Sequence, residues 1–187
     1  RRSADRLVQA DVLWALLAPQ RRPAAAFDDA WRNVLLYSEH TWGAHCSISK
    51  PDDPFTTRQW ETKQAFAVDA DKQSRKLLSD ALAVRGAPPP QPDAIDVLNT
   101  TQWTRTDLAT LPANVNLAGK HLVDAGGKPV AQQRLVSGQW AFLAQDVPAF
   151  GAKRFGVAPG ERRTEGTAKA SGNRLATSLV NVDIDPA

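Results

Sequence analysis

The chain has 187 residues, of which 42% are hydrophobic and 23% charged, and its formal net charge is +3. This balance is typical of a folded globular protein, and the length allows one large domain or two small ones. Basic residues alternate with acidic ones instead of forming a stripe, which argues against nucleic-acid binding. Because no apolar run approaches the ~20 residues that span a bilayer, no membrane partner is expected.

The first two helices are predicted by apolar residues at helical spacing. The first helix runs from Ser3 to about Ala18, where Pro19 stops it. For the second helix, Asp28 or Asp29 is the expected N-cap. One face of this second helix carries four residues, namely Trp31, Val34, Leu35 and Ser38. Such faces are buried against other helices.

A third, longer helix is predicted from Thr56 or Thr57 to about Arg85, where Gly86 ends it. Residues 1–86 therefore predict a three-helix bundle. The following segment, Gly86-Ala-Pro-Pro-Pro-Gln-Pro, cannot continue a helix because consecutive prolines favour an extended connector. We assign residues 87–93 to a Pro-rich linker.

Beyond the linker, the apolar residues change from a helical to an alternating period, and glycines separate short apolar runs. Strands are expected at seven places, around residues 95–98, 108–111, 122–123, 130, 140–143, 155–157 and 178–184. Residues 160–172 are polar and are expected to form an exposed loop. We assign residues 94–187 to an incomplete, sandwich-like β domain. The predicted fold class is α+β, a three-helix bundle followed by a partial antiparallel β-sandwich.

Unusual side chains are concentrated between the second and third helices. In this segment His40, His45 and Cys46 could supply metal ligands, and Glu39 could act as an acid, a base or a ligand. Trp42 has a flat apolar face of the kind that stacks on sugars. The alternative is structural: Glu39 and His40 end the second helix, and Trp42 fills the bundle. In that interpretation Cys46 is an inert buried thiol, since no activating partner is evident.

Elsewhere the sequence identifies no catalytic residue. It contains no Gly-rich phosphate loop and no Gly-x-Ser-x-Gly elbow. His121 lies alone in the β region and is expected to be structural. Four aspartates near predicted strand ends favour a role in turns; they are Asp93, Asp96, Asp183 and Asp185.

Four segments in order resemble glycoside hydrolase family 38, in its bacterial α-mannosidase-like branch. Trp31-Arg-Asn-Val-Leu-Leu-Tyr-Ser-Glu-His-Thr-Trp-Gly-Ala, followed by Trp60-Glu-Thr-Lys, is similar to the family's central helical region. Asp96-Val-Leu-Asn-Thr-Thr-Gln-Trp-Thr-Arg-Thr-Asp-Leu resembles the entry into its C-terminal β domain, and Asp146-Val-Pro-Ala-Phe-Gly-Ala-Lys resembles a turn and strand of that domain. The β-entry motif is the most specific part.

The resemblance implies a zinc-dependent retaining hydrolase of α-mannosides. It also implies that the nucleophile and most metal ligands come from an N-terminal barrel, which we expect to be missing here. His40 matches the one zinc ligand that the helical region supplies, with Glu39 and Trp42 as substrate contacts. This chain departs from the common His-His-Asp-Ala motif, because Glu39 and Thr41 flank the histidine. A chain with one ligand is expected to hold zinc poorly and to be inactive in isolation.

Two other functions remain open from the sequence. The chain could be a stand-alone carbohydrate-binding module with Trp42, Trp103 or Trp140 as stacking platforms, although tryptophans are usually buried. It could instead be a structural module whose helical stripes dock onto a partner. Because the chain opens at Arg1 without Met, contains no Met and stops at Ala187, we expect both ends to be cuts in a longer protein.

Overall fold

The computed structural model describes residues 1–39, 44–84, 93–160 and 168–185. The fold is α+β, as the sequence predicts: helices come first, and small antiparallel sheets follow. The chain forms two compact units, Arg1–Pro90 and Gln91–Ala187. Among the described residues, no helix combines the length and the apolar character that crossing a membrane requires.

The first unit is built on its longest helix. Helix α1 covers Arg2–Leu17, a 3-10 turn covers Pro19–Arg21, α2 covers Ala24–Ser38 and α3 covers Pro54–Val84. Helix α3 packs against both α1 and α2. Buried alanines on all three helices let the backbones approach closely, and larger apolar side chains fill the remaining space. The buried hydrophobic residues of the helices are Leu7, Ala10, Leu13, Trp14, Phe27, Ala30, Ala70, Leu77 and Ala81.

Helix α2 differs from its prediction in its start and in its buried face. It begins at Ala24, directly after Pro23, so Asp28 and Asp29 lie inside the helix and do not cap it. A proline is favourable beside the first helical residue because the first backbone N–H groups need no intrahelical partner. The buried residues of α2 are Phe27 and Ala30, whereas Leu35 of the predicted face is 66% exposed.

Short antiparallel strands make up the second unit. They are β1 Ala94–Leu98, β2 Arg105–Leu111, β3 Lys120–Val123, β4 Gln132–Arg134, β5 Trp140–Val147, β6 Ala152–Pro159, β7 Lys169–Ser171, β8 Arg174–Ala176 and β9 Asn181–Asp183. They form three sheets with the strand orders β1-β6-β3, β2-β5-β4 and β7-β8-β9.

The first two sheets share one hydrophobic core, which supports the sandwich-like arrangement within this unit. Phe142 on β5 and Phe155 on β6 meet edge to face, with ring centroids 5.2 Å apart. The cluster of buried residues consists of Leu111, Leu117, Leu122, Trp140, Phe142, Ala144, Val147 and Phe155. Alternating apolar residues of both sheets therefore point into the same space.

The third sheet, β7 to β9, has one apolar face that is open to solvent. Leu175 on β8 is paired with Val182 on β9, and their exposed fractions are 46% and 44%. Ile184, two residues beyond Val182, is 64% exposed. The sequence did not predict β7 and β8. Residues 160–172 were expected to form a loop, but Lys169–Ser171 within them is β7, and no strand was expected at Arg174–Ala176.

Two further predictions for the β region are wrong in detail. Val130 is outside the strands, and only an isolated bridge joins the neighbouring Pro129 to Val123. Asp96 is not a turn residue, because it lies inside β1 and accepts two hydrogen bonds of 2.8 Å from the Arg154 guanidinium on β6. A charged pair across two strands holds these side chains on the sheet surface.

Candidate functional site

The candidate site begins where α2 ends. Glu39 is the C-cap residue of α2, and its extended backbone angles end the helix. One of its carboxylate oxygens, Oε1, lies 3.3 Å from the Lys63 ammonium on α3. The Lys63 side chain is only 17% exposed and that of Glu39 33%. The partly buried ion pair therefore fastens the end of α2 to α3.

A second contact with α3 is made by His45, which follows Ala44. Ala44 is buried, whereas the His45 ring is exposed and meets Phe55 edge to face at 6.4 Å. The backbone N–H of His45 donates to Gln59 Oε1 at 3.2 Å, and its carbonyl accepts a bond of 3.0 Å from Thr56 Oγ1. Thr56 is almost completely buried, so this anchor is held in the packed part of the unit.

The two anchors lie on one turn of α3. Gln59 and Lys63 are four residues apart, which places their side chains on the same face of the helix. Glu39, directly before positions 40–43, and His45, two residues after them, are therefore both bound to this single turn. The structure thus gives the flanks of the predicted site a definite position on α3.

The predicted site residues have different outcomes. Glu39 lies at the helix end, where the structural alternative put it, and is paired with Lys63. His40 and Trp42 lie outside the described residues, so their roles stay predictions. Cys46 is half-buried in the turn after Ala44 and has a φ of +58°.

In residues 1–39, 44–84, 93–160 and 168–185, no three His, Cys, Asp or Glu side chains come together in a group that could hold a metal ion. Zinc is usually held by three or four such donors. The described residues therefore do not provide a complete zinc site, and His40 is the ligand that remains a prediction.

In the second unit, Asn99 forms a network that the sequence did not single out. It lies directly after β1 and is only 6% exposed. Its Nδ2 donates to the carbonyls of Trp103 at 2.8 Å and Val147 at 3.1 Å, while its Oδ1 accepts from Thr101 N at 2.9 Å and Thr101 Oγ1 at 2.6 Å. A side-chain amide has two donors and two acceptor positions, so its capacity is fully used.

This network joins the two β motifs of the family resemblance. Asn99 belongs to the first motif and Val147 to the second, and two backbone bonds add to the contact: Asn99 N donates to Gly151 O at 2.8 Å, and Phe150 N donates to Thr101 O at 3.0 Å. Gly151 itself has no room for a side chain, because an added Cβ would lie 2.9 Å from Pro148 Cγ. The two motifs therefore form one interlocked turn.

The tryptophans proposed as sugar platforms separate into two kinds. Trp140 is 4% exposed and belongs to the core, so it cannot stack on a sugar. Trp103 is 57% exposed, and Phe150, on the adjoining turn, is 49% exposed. The alternative that all three of these tryptophans are core residues is therefore wrong for Trp103, while Trp42 lies outside the described residues.

His121 was expected to be structural, and its surroundings are unusual. It lies on β3 opposite Ala158 of β6, and its Nδ1 is buried without a hydrogen-bond partner in the described structure. The neighbouring Gly160 faces the ring, with an added Cβ at 3.7 Å from Nδ1. Among the described residues, His121 belongs to no group of potential metal ligands.

Comparison with known proteins does not assign the chain to a family. No model of a known protein family matches it, and no curated protein sequence matches it either.

Proposed function

We propose that this chain is the central helical region and the first part of the β domain of a retaining α-mannosidase of the family 38 type. The order of the units, helices before antiparallel strands, agrees with this proposal. The observation that carries it is the Asn99 network. Two motifs that resemble the family independently, 96–108 and 146–153, are bound to each other by this one side chain. Such packing is expected if both motifs belong to one inherited β domain.

In this proposal the chain contributes only part of the active site. Zinc, when bound, would hold and polarise sugar hydroxyls, and His40 would be one of its ligands. The nucleophile and the other ligands would come from the barrel that the resemblance implies. We therefore assign no catalytic residue to this chain and expect the 187-residue protein alone to be inactive.

In this proposal Glu39 binds the substrate and does not act as an acid or a base. An ion-paired carboxylate accepts hydrogen bonds, so Glu39 would receive one from a sugar hydroxyl while Lys63 holds its position. On the other side of the segment, the bond from His45 N to Gln59 would hold the backbone in position, as Lys63 holds Glu39. Neither residue needs to exchange a proton for these roles.

The experiment uses the natural protein that contains this chain. Hydrolysis of 4-nitrophenyl α-mannoside and zinc content are measured for the unchanged protein and for His40→Ala, and both are expected to fall at least about tenfold in the variant, as for loss of a metal ligand. His45→Ala is the matched control, because it removes the other histidine of the segment, whose exposed ring meets Phe55 edge to face; it should retain zinc and activity.

Two results would contradict the proposal. One is hydrolysis of the same substrate by the isolated 187-residue chain at a rate comparable to that of the natural protein. The other is a natural protein whose activity and zinc content are unchanged by His40→Ala.

A carbohydrate-binding module is the second candidate function, and the exposure of Trp103 favours it. Trp103 and Phe150 lie on two turns that are bonded to each other through Thr101 and Phe150 N. Sugars stack on exposed aromatic rings of this kind. Titration calorimetry with methyl α-mannoside is the test: heat that disappears in Trp103→Ala, but not in Leu108→Ala, would support a binding module. If the unchanged chain gives no heat of binding, the carbohydrate-binding function is excluded.

A further inference from the structure

A cleft of about 300 Å³ opens in the second unit beside the core that the first two sheets share. Its walls come from the connection between β3 and β4, from β5 and from β6. Val130, Leu143 and Phe155 form its apolar part. This volume lies at the lower end of the range for small-molecule sites, about 300–1,000 Å³. The cleft can therefore hold a molecule of the size of one sugar ring.

A lysine bridges two walls of this cleft. Lys153 on β6 donates from Nζ to the backbone carbonyl of Gln145 on β5, at 2.7 Å. Its ammonium also lies 5.9 Å from the centroid of the Phe155 ring. An ammonium has three N–H donors, and the bond to Gln145 uses one of them. Donors of Lys153 are therefore available at the cleft for an acceptor on a ligand.

The charges around the cleft favour an anion. Two lysines, Lys128 and Lys153, line it together with one aspartate, Asp124. The Oδ1 of Asp124 accepts bonds from the backbone N–H groups of Gly126 and Lys128, each at 2.9 Å. This carboxylate therefore holds the turn between β3 and β4, and positive charge exceeds negative charge along the walls.

We propose that this cleft binds a small sugar acid of the hexuronate class. The sugar carboxylate would lie at the Lys153 ammonium, with Lys128 adding attraction from the rim. The side-chain amide of Gln145 both donates and accepts, which suits the ring hydroxyls. The ring carbons would pack against Val130 and Leu143. This site is separate from the segment at Glu39, and the proposal does not rest on the α-mannosidase assignment.

The test is a titration of the ¹⁵N-labelled 187-residue protein with galacturonate, followed by amide chemical shifts. Methyl galactoside, which has no carboxylate, is the comparison ligand. Galacturonate is expected to shift the amides of residues 124–131, 143–145 and 153–155, and added NaCl should weaken its binding. Methyl galactoside should bind at least about tenfold more weakly, because it lacks the charge-assisted bond.

Lysine variants test whether galacturonate binds in this cleft. Lys153→Gln should weaken galacturonate binding about tenfold, as expected for the loss of a bond between charged groups. Lys120→Gln is the matched control on the same unit, since Lys120 lies near Asp93 and does not line the cleft; it should bind normally. If Lys153→Gln does not fold, Lys128→Gln, in an exposed turn, should still weaken binding measurably.

The proposal is overturned if galacturonate shifts no amides of the cleft. It is also overturned if methyl galactoside binds equally well, or if the folded lysine variants bind galacturonate as tightly as the Lys120→Gln control does.

Discussion

The side-chain nitrogen of Asn99 lies 3.1 Å from the backbone carbonyl of Val147, although 48 positions separate the two residues in the sequence. The same nitrogen binds the Trp103 carbonyl, so one amide joins the loop after β1 to the end of β5. Buried polar groups of this kind are costly when a partner is lost, because water cannot replace it.

Asn99→Ala should therefore destabilise the second unit by about 2–3 kcal/mol, as expected for buried groups left without partners. The measurement is urea unfolding, followed by the amide signals of β5. Asn116→Ala is the control, because Asn116 is exposed and makes one bond, from Ala118 N to its Oδ1; it should cost less than about 1.5 kcal/mol. Equal losses in the two variants would contradict the role of the network.

The aromatic pair in the core gives a second prediction. Phe142 is 1% exposed and packs on Phe155, so Phe142→Ala should lower the free energy of unfolding of this unit by about 3–5 kcal/mol. Phe150→Ala removes the same number of atoms from a side chain that is 49% exposed, and it should cost much less. Denaturant unfolding measures both losses of free energy. A loss in Phe150→Ala as large as that in Phe142→Ala, or larger, would contradict the prediction.

The helical unit should respond to acid through Asp71. This carboxylate accepts hydrogen bonds from Arg75 Nε at 2.8 Å and from Arg6 at 2.7 Å, and the two guanidinium groups hold the pKa of Asp71 below its usual value of 3.8. Because the pKa of Asp71 is lower in the folded state, its ionised form stabilises the folded state, and this contribution is fully present at pH values above the pKa of the unfolded state. This stabilisation is lost as the pH falls through the folded pKa.

The pKa of Asp71 can be measured by carboxyl ¹³C NMR. Arg75→Gln and Arg6→Gln should each move it upward, with the larger effect for Arg75 because its hydrogen bond is the leading cause of the shift. Lys76→Gln is the control on the same helix, since Lys76 pairs with Asp80 and not with Asp71. An Asp71 pKa that stays unchanged in both arginine variants would show that the network does not act on this carboxylate.

The ion pair at the end of α2 can be measured by a double-mutant cycle. Glu39→Gln, Lys63→Gln and the double variant should give a coupling free energy of about 0.2–1 kcal/mol that decreases in high salt. The pair of Lys76 and Asp80 is more exposed, with side chains 76% and 43% accessible, so its coupling should be smaller. Chemical unfolding of the helical unit supplies all these free energies. A coupling free energy of zero between Glu39 and Lys63 would show that this ion pair does not fasten α2 to α3.

The sequence predicted the three helices and most of the larger strands because their apolar residues follow clear periods. Helix α1 was predicted from Ser3 to Ala18 and observed at Arg2–Leu17. The buried face of α2 was missed because contact with α3, and not the spacing of the large apolar residues alone, decides which side chains are covered. Leu35 matches the helical period and is nevertheless exposed.

The small strands and the contacts between distant residues were harder to predict. Strands β7 and β8 have only three residues each, and the polar composition around Lys169 is typical of a loop. The Asn99 network depends on residues about 50 positions away, which no local pattern indicates. At the candidate site, the position of Glu39 at a helix end followed from the sequence, but its pairing with Lys63 depends on how α2 packs against α3.

The two anchors on α3 also matter for protein engineering. Gln59 binds His45 and Lys63 binds Glu39, so both hold the chain close to positions 40–43 without belonging to that segment. Substitutions at these two positions therefore change how the segment is held while every residue between Glu39 and His45 keeps its identity. A library that varies only Gln59 and Lys63 would separate the effect of how the segment is anchored from the effect of its own side chains.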